Sequence, residues 1–404
     1  MRSAAELDAV DPLRAYAERF VRPASVLAYL DGNSLGRPLT GTGEKLAHFV
    51  DGAWGERLIR SWDEEWMELP LTLGDRLGRI VLGAAPGQTV VADSTTVLLY
   101  KLLRAAVAAQ PGRDEIVCDT ENFPTDRYLV DAVAAERGLS VRWIDPDPAS
   151  GVRVEEVEAV VGERTAVVLL SHVAYKSAYV ADMAAITAAV HEVGGLTLWD
   201  LSHATGAIEV DLDGCGVDLA VGCSYKYLNG GPGAPAFAYV AARHQEQLTQ
   251  PIAGWMGHAE PFAMGPTYAP ADGMRRFISG TPPILAMQPL ADMLDVIEEA
   301  GMPAVAAKTR DLTSFAIAYA EEHLAAHGVV VASPRDPGMR GGHVLLEHPS
   351  MEQVVARLWE RGIVPDFRHP RGLRAGLSPL STTYAEVADA LDAVGRLLGA
   401  THDA

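Results

Sequence analysis

The segment GVDLAVGCSYKYLNGGPG, residues 216–233, decides the fold that we predict for this chain of 404 residues. Its first half is an apolar run typical of a buried strand, and its second half is a glycine-rich turn that lets backbone approach closely. Lys226 lies between them, and none of the other four lysines of the sequence follows such a strand. Lys226 is therefore our candidate for a functional lysine, although a lysine at a strand end is often simply exposed to solvent.

Apolar runs alternate with amphipathic stretches on both sides of this segment, from about residue 40 to residue 260. This alternation is typical of βα units built around a parallel sheet. The predicted strands are residues 89–92, 115–118, 141–144, 166–171, 196–199, 219–223 and 236–240, and the predicted helices include residues 97–109, 125–138 and 183–193. We therefore predict an α/β fold with a mainly parallel seven-stranded sheet and helices on both faces. Such sheets bind ligands at the carboxyl ends of their strands.

The length of the chain favours one large and one smaller domain over a single core. We predict an N-terminal arm over residues 1–35, a large α/β domain over 36–270 and a small α+β C-terminal domain over 271–404. We expect the arm to contain a short amphipathic helix within residues 3–21 and an extended segment at 26–30, and to pack with the small domain. In the small domain we expect a helical run to about residue 327, strands at 328–332 and 343–347, and a helix at 385–398.

The net charge and the cysteines argue against several kinds of function. The formal charge of −20, from 53 acidic against 33 basic residues, would repel a phosphate backbone, so we expect no nucleic-acid partner. Cys118, Cys215 and Cys223 have no spacing suitable for zinc, and we expect them to be reduced and no metal to be bound. We find no signal peptide and no run of about 18 apolar residues. The sequence therefore predicts a cytoplasmic protein without a membrane partner.

Polar and aromatic residues follow other predicted strands, at the same edge of the sheet as Lys226. Asp200 directly follows an apolar strand, with His203 three residues further on, and Thr95 and Thr96 lie between a strand and a helix. An acid, a stacking ring such as Phe123 and phosphate donors are what pyridoxal 5′-phosphate needs beside a Schiff-base lysine. Each residue has an ordinary alternative, a helix cap for Asp200 and the threonines and a core position for His203 and Phe123.

The chain carries a series of specific motifs along most of its length: DGNSLG at 31–36, RSW at 60–62, FPTD at 123–126, SHVAYKS at 171–177, WDLSHATGA at 199–207, SYKYLNGGPGAPAF at 224–237, GWMGH at 254–258 and SGTPPI at 279–284. In this order they resemble segments of the kynureninases, a family of fold-type I pyridoxal phosphate enzymes. The resemblance implies hydrolysis of the Cβ–Cγ bond of L-kynurenine or 3-hydroxykynurenine to anthranilate or 3-hydroxyanthranilate and L-alanine. It also implies a place in tryptophan catabolism, the kynurenine pathway, and NAD biosynthesis.

The resemblance also implies roles for single residues, with Lys226 as the Schiff-base lysine and Tyr225 as a proton relay. The residues implied to hold the cofactor are Thr95, Thr96, Phe123, Asp126, Ser171, Asp200, His203, Tyr225, Lys226, Trp255 and Thr281. The residues implied to bind the substrate are Ser34, Trp62 and Arg374. Arg374 would hold the α-carboxylate, a task that suits a bidentate guanidinium. A homodimer with shared active sites is implied as well, because Trp255 and Thr281 match positions expected to serve the facing subunit.

Two departures from the family pattern leave the exact substrate open. Ser381 stands where we expect a tyrosine, and Ala174 stands where asparagine is more usual, so a modified aryl substrate is one alternative. A related class V enzyme, an aminotransferase or a cysteine desulfurase, is another, but a desulfurase needs a nucleophilic cysteine in its small domain and none occurs after Cys223. A third is a dimeric scaffold without activity, against which the presence of Lys226, Asp200 and Tyr225 together argues.

Overall fold

The computed structural model describes residues 2–402, over which the chain forms twelve strands and eleven α-helices. The strands are β1 (Ala28–Leu30), β2 (Thr89–Ala92), β3 (Glu115–Asp119), β4 (Ser140–Ile144), β5 (Thr165–Ser171), β6 (Leu196–Asp200), β7 (Leu219–Gly222), β8 (Ala236–Val240), β9 (Val330–Val331), β10 (His343–Glu347), β11 (Ile363–Arg368) and β12 (Gly372–Gly376). The helices are α1 (Ala4–Val10), α2 (Thr42–Phe49), α3 (Leu69–Leu77), α4 (Thr95–Ala109), α5 (Pro124–Arg137), α6 (Val154–Glu158), α7 (Met183–Glu192), α8 (Ile284–Ala300), α9 (Met302–His323), α10 (Met351–Trp359) and α11 (Tyr384–His402). None of these helices is both long and apolar enough to cross a lipid bilayer.

Seven strands form the predicted large sheet, in the order β2-β8-β7-β6-β5-β3-β4. Six of them run in one direction, and β8 runs opposite to its neighbours β2 and β7. All seven lie within one residue of their predicted bounds. Every residue of β2, β3, β6, β7 and β8 is buried, as expected of strands covered on both faces, whereas β4 at the edge of the sheet is largely exposed. The predicted α/β class with a mainly parallel sheet is confirmed.

Helices cover both faces of this sheet. Ile116 of β3 packs in the same core cluster as side chains of α4 and α5, whereas its neighbour Val117 packs in a second cluster with side chains of α7 and α8. Because consecutive residues of a strand point to opposite faces, the two clusters lie on opposite sides of the sheet. This arrangement leaves the ends of the strands as the accessible part of the sheet.

The second sheet has five strands in the order β1-β11-β12-β10-β9. β1 pairs in parallel with β11, and the other pairs are antiparallel. A third core cluster joins this sheet to α10, α11 and the second half of α9. The first half of α9 and all of α8 pack instead with the large sheet, through side chains such as Val305 and Met287. The limits of the two domains stay a prediction.

The structure corrects two of the predicted helices. Residues 3–21 form α1 followed by a 3-10 turn (Arg14–Arg19), because Pro12 disfavours helical backbone at Asp11, which is extended. The predicted run to residue 327 is two helices, α8 and α9, separated at Gly301. This glycine has a φ of +79°, a conformation that ends one helix before the next begins.

The predictions for the second sheet were incomplete. The strand expected at 328–332 is reduced to β9, and β11 and β12 were not predicted at all, because Pro365 and several charged residues interrupt the apolar pattern there. These two strands matter for function, since Asp366 of β11 lies directly opposite Arg374 of β12 in the register.

The DGNSLG turn at 31–36 follows β1 and lies between the two sheets. The backbone N–H of Gly36 donates to the carbonyl of Tyr225 at 2.8 Å, and a Cβ on Gly36 would lie 2.4 Å from the Lys226 carbonyl oxygen. On the other side, a Cβ on Gly376 would lie 1.7 Å from Asn33 Oδ1. Only glycine at both positions allows the turn to approach so closely.

Candidate active site

The candidate site lies at the carboxyl edge of the large sheet. Ser171 and Asp200 are the last residues of β5 and β6 and are partners in the register. Lys226 follows β7 and is buried, with its Nζ 3.4 Å from each ring nitrogen of His203. Because parallel strands end at one edge, residues far apart in the sequence meet here.

Aromatic rings lie close to the Lys226 amine. Its Nζ is 5.7 Å from the ring centroid of Phe123 and 5.9 Å from that of Tyr225. Asn122 Oδ1 accepts hydrogen bonds from the Phe123 N–H at 2.8 Å and from Ser171 Oγ at 2.6 Å. Asn122 therefore fixes Phe123 at the start of α5 and ties it to the end of β5.

Asp126 and Asp200 are two buried acids in the same site. Asp200 Oδ1 accepts a hydrogen bond from the Ser202 N–H at 2.8 Å, whereas Asp126 Oδ2 has no hydrogen-bond partner among residues 2–402. Burial, and then the charges of Asp200 and Asp119, raise the pKa of Asp126 well above its usual range. Neighbouring buried carboxylates ionise together only when a cation compensates them. The pair is therefore suited to receive a positively charged group.

Two neutral histidines lie beside the lysine. Burial, followed by the positive charges of Lys226 and Arg374, holds the pKa of His203 well below its usual range. The ring of His343, at the start of β10, lies 5.6 Å from that of His203, and burial likewise lowers the pKa of His343. Near pH 7 both rings are uncharged and add no positive charge beside the Lys226 amine.

The N-terminus of α4 offers donors for an anion. Thr95 and Thr96 are its first two residues, and their N–H groups precede the first hydrogen bond within the helix. Ser94 caps the helix by accepting from the Val97 N–H at 3.4 Å. A phosphate group is the kind of ligand that such a helix start binds.

Arg374 faces the site from the five-stranded sheet. Its side chain is 1% exposed and makes three directed contacts: Nη1 donates to the Tyr175 carbonyl at 2.7 Å, and Nη2 donates to Ser34 Oγ at 3.0 Å and to Asp366 Oδ2 at 2.5 Å. Asp366 also pairs with Arg368 at 2.7 Å. The structure thus brings Ser34 and Arg374 together, as expected of a carboxylate pocket.

In the described part of the single chain, three of the predicted site residues are not in contact with Lys226. Trp62 is half-buried in a π-helical turn, where its ring contacts that of Trp66 at 5.5 Å, whereas Trp255 and Thr281 are exposed. Within the described part of the chain, no hydrogen bond, ion pair or ring contact joins any of the three to Lys226.

The two departures from the family pattern fall in different surroundings. Ala174 lines a small cavity beside Ser171 and Asn122, next to the candidate site. Ser381 is buried, and its backbone carbonyl accepts from Arg22 Nη1 at 2.8 Å. No described contact joins Ser381 to Arg374.

Four residues of this site were missed in the sequence: Asn122, Tyr175, His343 and Asp366. Asn122 directly precedes the FPTD motif and Tyr175 lies within the SHVAYKS motif, so their positions were recognisable. His343 and Asp366 carry no local signal, because only the pairing of β10, β11 and β12 brings them to Arg374.

Comparison with known proteins identifies the structural class to which the chain belongs. A family model described as aminotransferase class V matches residues 79–347. A cysteine desulfurase from Thermococcus onnurineus NA1 has a similar structure, with a TM-score of 0.81 and 18% identity over 99% of each chain. A cystine C–S lyase in complex with cysteine persulfide has a TM-score of 0.79 and 19% identity, over 92% of this chain and 98% of that one. The fold is that of the class V aminotransferases.

The family within this class follows from more similar sequences. A model described as the kynureninase C-terminal domain matches residues 305–394. The kynureninase of Pseudomonas fluorescens is 42% identical over 97% of this chain and 94% of its own length, and that of Burkholderia pseudomallei (strain 1106a) is 41% identical over the same shares. The chain belongs to the kynureninase family.

Proposed function

We propose that this protein is a pyridoxal 5′-phosphate-dependent hydrolase that cleaves the Cβ–Cγ bond of L-kynurenine to give anthranilate and L-alanine. The reaction is the one that membership of the kynureninase family indicates. The observation that carries the proposal is the position of the Lys226 amine, 3.4 Å from the nitrogens of the neutral His203 and 5.7 Å from the Phe123 ring centroid. A buried lysine in contact with a stacking ring is what the cofactor requires.

The two buried acids support the assignment of this cofactor. A protonated pyridine nitrogen would supply the positive charge that Asp126 and Asp200 lack, and Asp126 Oδ2 is a buried oxygen still without a partner among residues 2–402. We assign Asp200 to the pyridine nitrogen and place Asp126, Ser171 and His203 around the ring. When bound, pyridoxal phosphate supplies an electron sink for the substrate α-carbon.

The phosphate and the ring face have candidate partners as well. The free N–H groups and the hydroxyls of Thr95 and Thr96 at the start of α4 would bind the phosphate, with Tyr225 beside them. Phe123, held by Asn122, would stack on the pyridine. These side chains come from α4, α5 and the loop after β7, so the large sheet sets their relative positions.

Proton transfer would be carried by Lys226 and Tyr225. The Lys226 amine would take the α-proton of the substrate, and the neutral His203 beside it would not repel the ammonium that results. The neighbouring Cys223 and burial raise the pKa of Tyr225, so its phenol is protonated at neutral pH, as the first step of a proton relay requires. Placing such groups within hydrogen-bond reach is commonly worth about 10² to 10⁴ in rate.

The substrate would be held by the arginine at the facing sheet. Arg374 would bind the α-carboxylate, with Ser34 as its neighbour. With the carboxylate fixed there and the amine at Lys226, the γ-carbonyl is presented to water. Addition of water to this carbonyl, followed by loss of the aryl acid, breaks the Cβ–Cγ bond.

A homodimer in the cytoplasm is part of the proposal. Trp255 and Met264 are large apolar side chains that line one open cleft of the single chain, where Met264 is 73% exposed, and exposed apolar surface of this kind commonly lies in interfaces. We propose that Trp255 and Thr281 serve the site of the facing subunit, as the family resemblance implies. Cys118, Cys215 and Cys223 are free thiols, which suits a reducing compartment.

The decisive experiment is an assay of the purified protein loaded with pyridoxal phosphate. With L-kynurenine we expect anthranilate fluorescence and L-alanine in equal amounts, and with 3-hydroxykynurenine the hydroxylated acid. Lys226→Ala serves as the inactive control. Release of sulfide from cysteine, formation of a keto acid from an amino donor, or no turnover of either kynurenine by protein that binds the cofactor would overturn the proposal.

A further inference from the structure

We propose that Asp366 is a positioning residue that competes with the α-carboxylate of the substrate for Arg374, and that Arg368 receives Asp366 when it gives way. The inference rests on the proposed function, in which Arg374 binds that carboxylate. It assigns Asp366 and Arg368 a part in substrate binding that no motif of the sequence indicated. The ligand class is an α-amino acid, recognised through its carboxylate.

All three nitrogens of Arg374 are engaged by protein groups. Nη1 donates to the Tyr175 carbonyl, and Nη2 donates to Ser34 Oγ and to Asp366. When the Asn33 amide is oriented with its oxygen towards the guanidinium, that oxygen accepts from Nε at 2.6 Å. Of the five N–H groups, one on Nη1 has no partner in the described part of the chain, so a substrate carboxylate bound by two N–H groups must take at least one that already has a partner. Asp366 is the one partner among these that carries a charge.

Asp366 is held against Arg374 by the strands themselves. The two residues are direct partners in the antiparallel pairing of β11 and β12, so their side chains leave the sheet on the same face. The 2.5 Å contact helps to keep the guanidinium, which is 1% exposed, charged and aligned. A buried arginine without such a partner would be costly.

Arg368 is placed to bind the Asp366 carboxylate when that carboxylate leaves Arg374. It lies two residues along β11, on the same face, and already contacts Asp366 Oδ2 through Nη2 at 2.7 Å. Its Nε is buried and has no hydrogen-bond partner among residues 2–402. A turn of the Asp366 carboxylate towards Arg368 would give a two-point contact with Nε and Nη2, so the acid would not be left unpaired.

A second acid nearby does not have this role. Burial raises the pKa of Asp31 to about 6, but Asp31 makes no ion pair with Arg374 or Arg368 in the described part of the chain. Arg368 also lines an open cleft, together with Glu121, Lys176 and Glu347. Arg368 is therefore nearer to solvent than Asp366, and the direction from Asp366 towards Arg368 leads outward. Asp366 can therefore move outward while Arg374 stays in place.

The test uses binding rather than turnover. The probe is 4-(2-aminophenyl)-4-oxobutanoate, which is kynurenine without its α-amino group and cannot react with the cofactor, and the matched control is the corresponding amide. Calorimetric titration of the cofactor-loaded protein should show that Asp366→Asn binds the carboxylate about tenfold more tightly than wild type, since a competing charge is removed. Its affinity for the amide should stay the same. In steady-state assays KM for kynurenine should fall while kcat does not rise.

Arg368→Gln gives a second, independent measurement. It should weaken carboxylate binding about fivefold in the wild-type background, because Asp366 then leaves Arg374 less readily, and have little effect in the Asp366→Asn background. Weaker carboxylate binding in Asp366→Asn, or additive effects of the two substitutions, would overturn the inference and assign Asp366 a merely structural role. If wild type neither binds the probe nor cleaves kynurenine, it is the proposed function that fails.

Discussion

The amine of Lys226 faces a histidine that carries no charge. Its Nζ lies 3.4 Å from both ring nitrogens of His203, and the burial of that ring together with the charges of Lys226 and Arg374 keeps its pKa low. A protonated histidine at this distance would repel a lysine that has taken up a proton. The neutral ring instead leaves the lysine free to accept and return protons during a reaction.

The first prediction concerns the choice of lysine. After reduction with borohydride, mass mapping should find the cofactor on the peptide that contains Lys226, and Lys226→Ala should retain none and lose about 10² to 10⁴ or more in kcat. Lys176→Ala is the matched control, because Lys176 lies near the site but pairs with Glu121 at 2.6 Å. Cofactor fixed to Lys226→Ala at another lysine would contradict the assignment.

The second prediction separates the two buried acids. Burial and neighbouring charges raise the pKa of Asp126, so at a pH above its ordinary value of 3.8 the unfolded chain releases this proton more readily, and the acid destabilises the folded protein without cofactor. Asp126→Asn should therefore raise the melting temperature of the apoprotein at pH 8 and leave much of the activity. Asp200→Asn, which lacks the acid assigned to the pyridine nitrogen, should lose about 10² to 10³ in kcat. Equal losses in the two variants would refute the assignment.

The third prediction tests whether active sites are shared between subunits. Lys226→Ala and Trp255→Ala should each be inactive or nearly so, but mixing them should restore about one quarter of wild-type activity, since half of the dimers then contain one intact site. A mixture of Lys226→Ala with Asp200→Asn should restore nothing, because both residues belong to the same site. Subunit exchange is verified with differently tagged chains, and no recovery despite exchange would show that Trp255 acts within its own subunit or not at all.

The fourth prediction is a pH dependence of stability. Burial lowers the pKa of His172 from its ordinary 6.5 to about 4, and its ring packs edge-on against Trp199. Above pH 6.5 the ring is neutral in both the folded and the unfolded protein. As the pH falls to 4 the unfolded chain binds the proton more tightly, which lowers the free energy of unfolding by about 3 kcal/mol.

Denaturant unfolding of the apoprotein between pH 7.5 and 4 measures this effect. His172→Phe keeps a ring against Trp199 but cannot titrate, so its stability relative to wild type should rise by that amount as the pH falls. His48→Phe, at an exposed position, is the control and should follow wild type. Parallel curves for wild type and His172→Phe would exclude His172 as the source.

The fifth prediction concerns Ser381. Its side chain is 2% exposed, so a tyrosine there would overpack the interior and lower the free energy of unfolding by about 1–3 kcal/mol. Because its only described hydrogen bond to another element is made by the backbone, Ser381→Ala should be nearly neutral. Neither variant should change the ratio of kcat/KM for kynurenine and 3-hydroxykynurenine. A changed ratio in the tyrosine variant would place Ser381 in the substrate pocket after all.

The large sheet could be predicted from the sequence because each strand is a separate apolar run, and the residues that follow its strands meet at one edge by the geometry of parallel pairing. That is why Asp200, Lys226 and Phe123 lie together as expected. The partners of Arg374 could not be found in this way. Asp366 is eight residues from Arg374 in a stretch with charges and a proline, and only the antiparallel pairing of β11 and β12 brings the two side chains together.

The DGNSLG turn restricts how this protein can change over evolution or in the laboratory. A Cβ at Gly32 would lie 1.9 Å from Ser378 Oγ, and Gly36 and Gly376 are closed in the same way by Lys226 and Asn33. A change in the backbone of this turn would therefore displace Lys226 on one side or β12, the strand that carries Arg374, on the other. New substrate preferences in this turn must come from its side chains and not from its glycines, so a library randomised at Ser34 and Leu35 should yield far more folded variants than one randomised at the glycines.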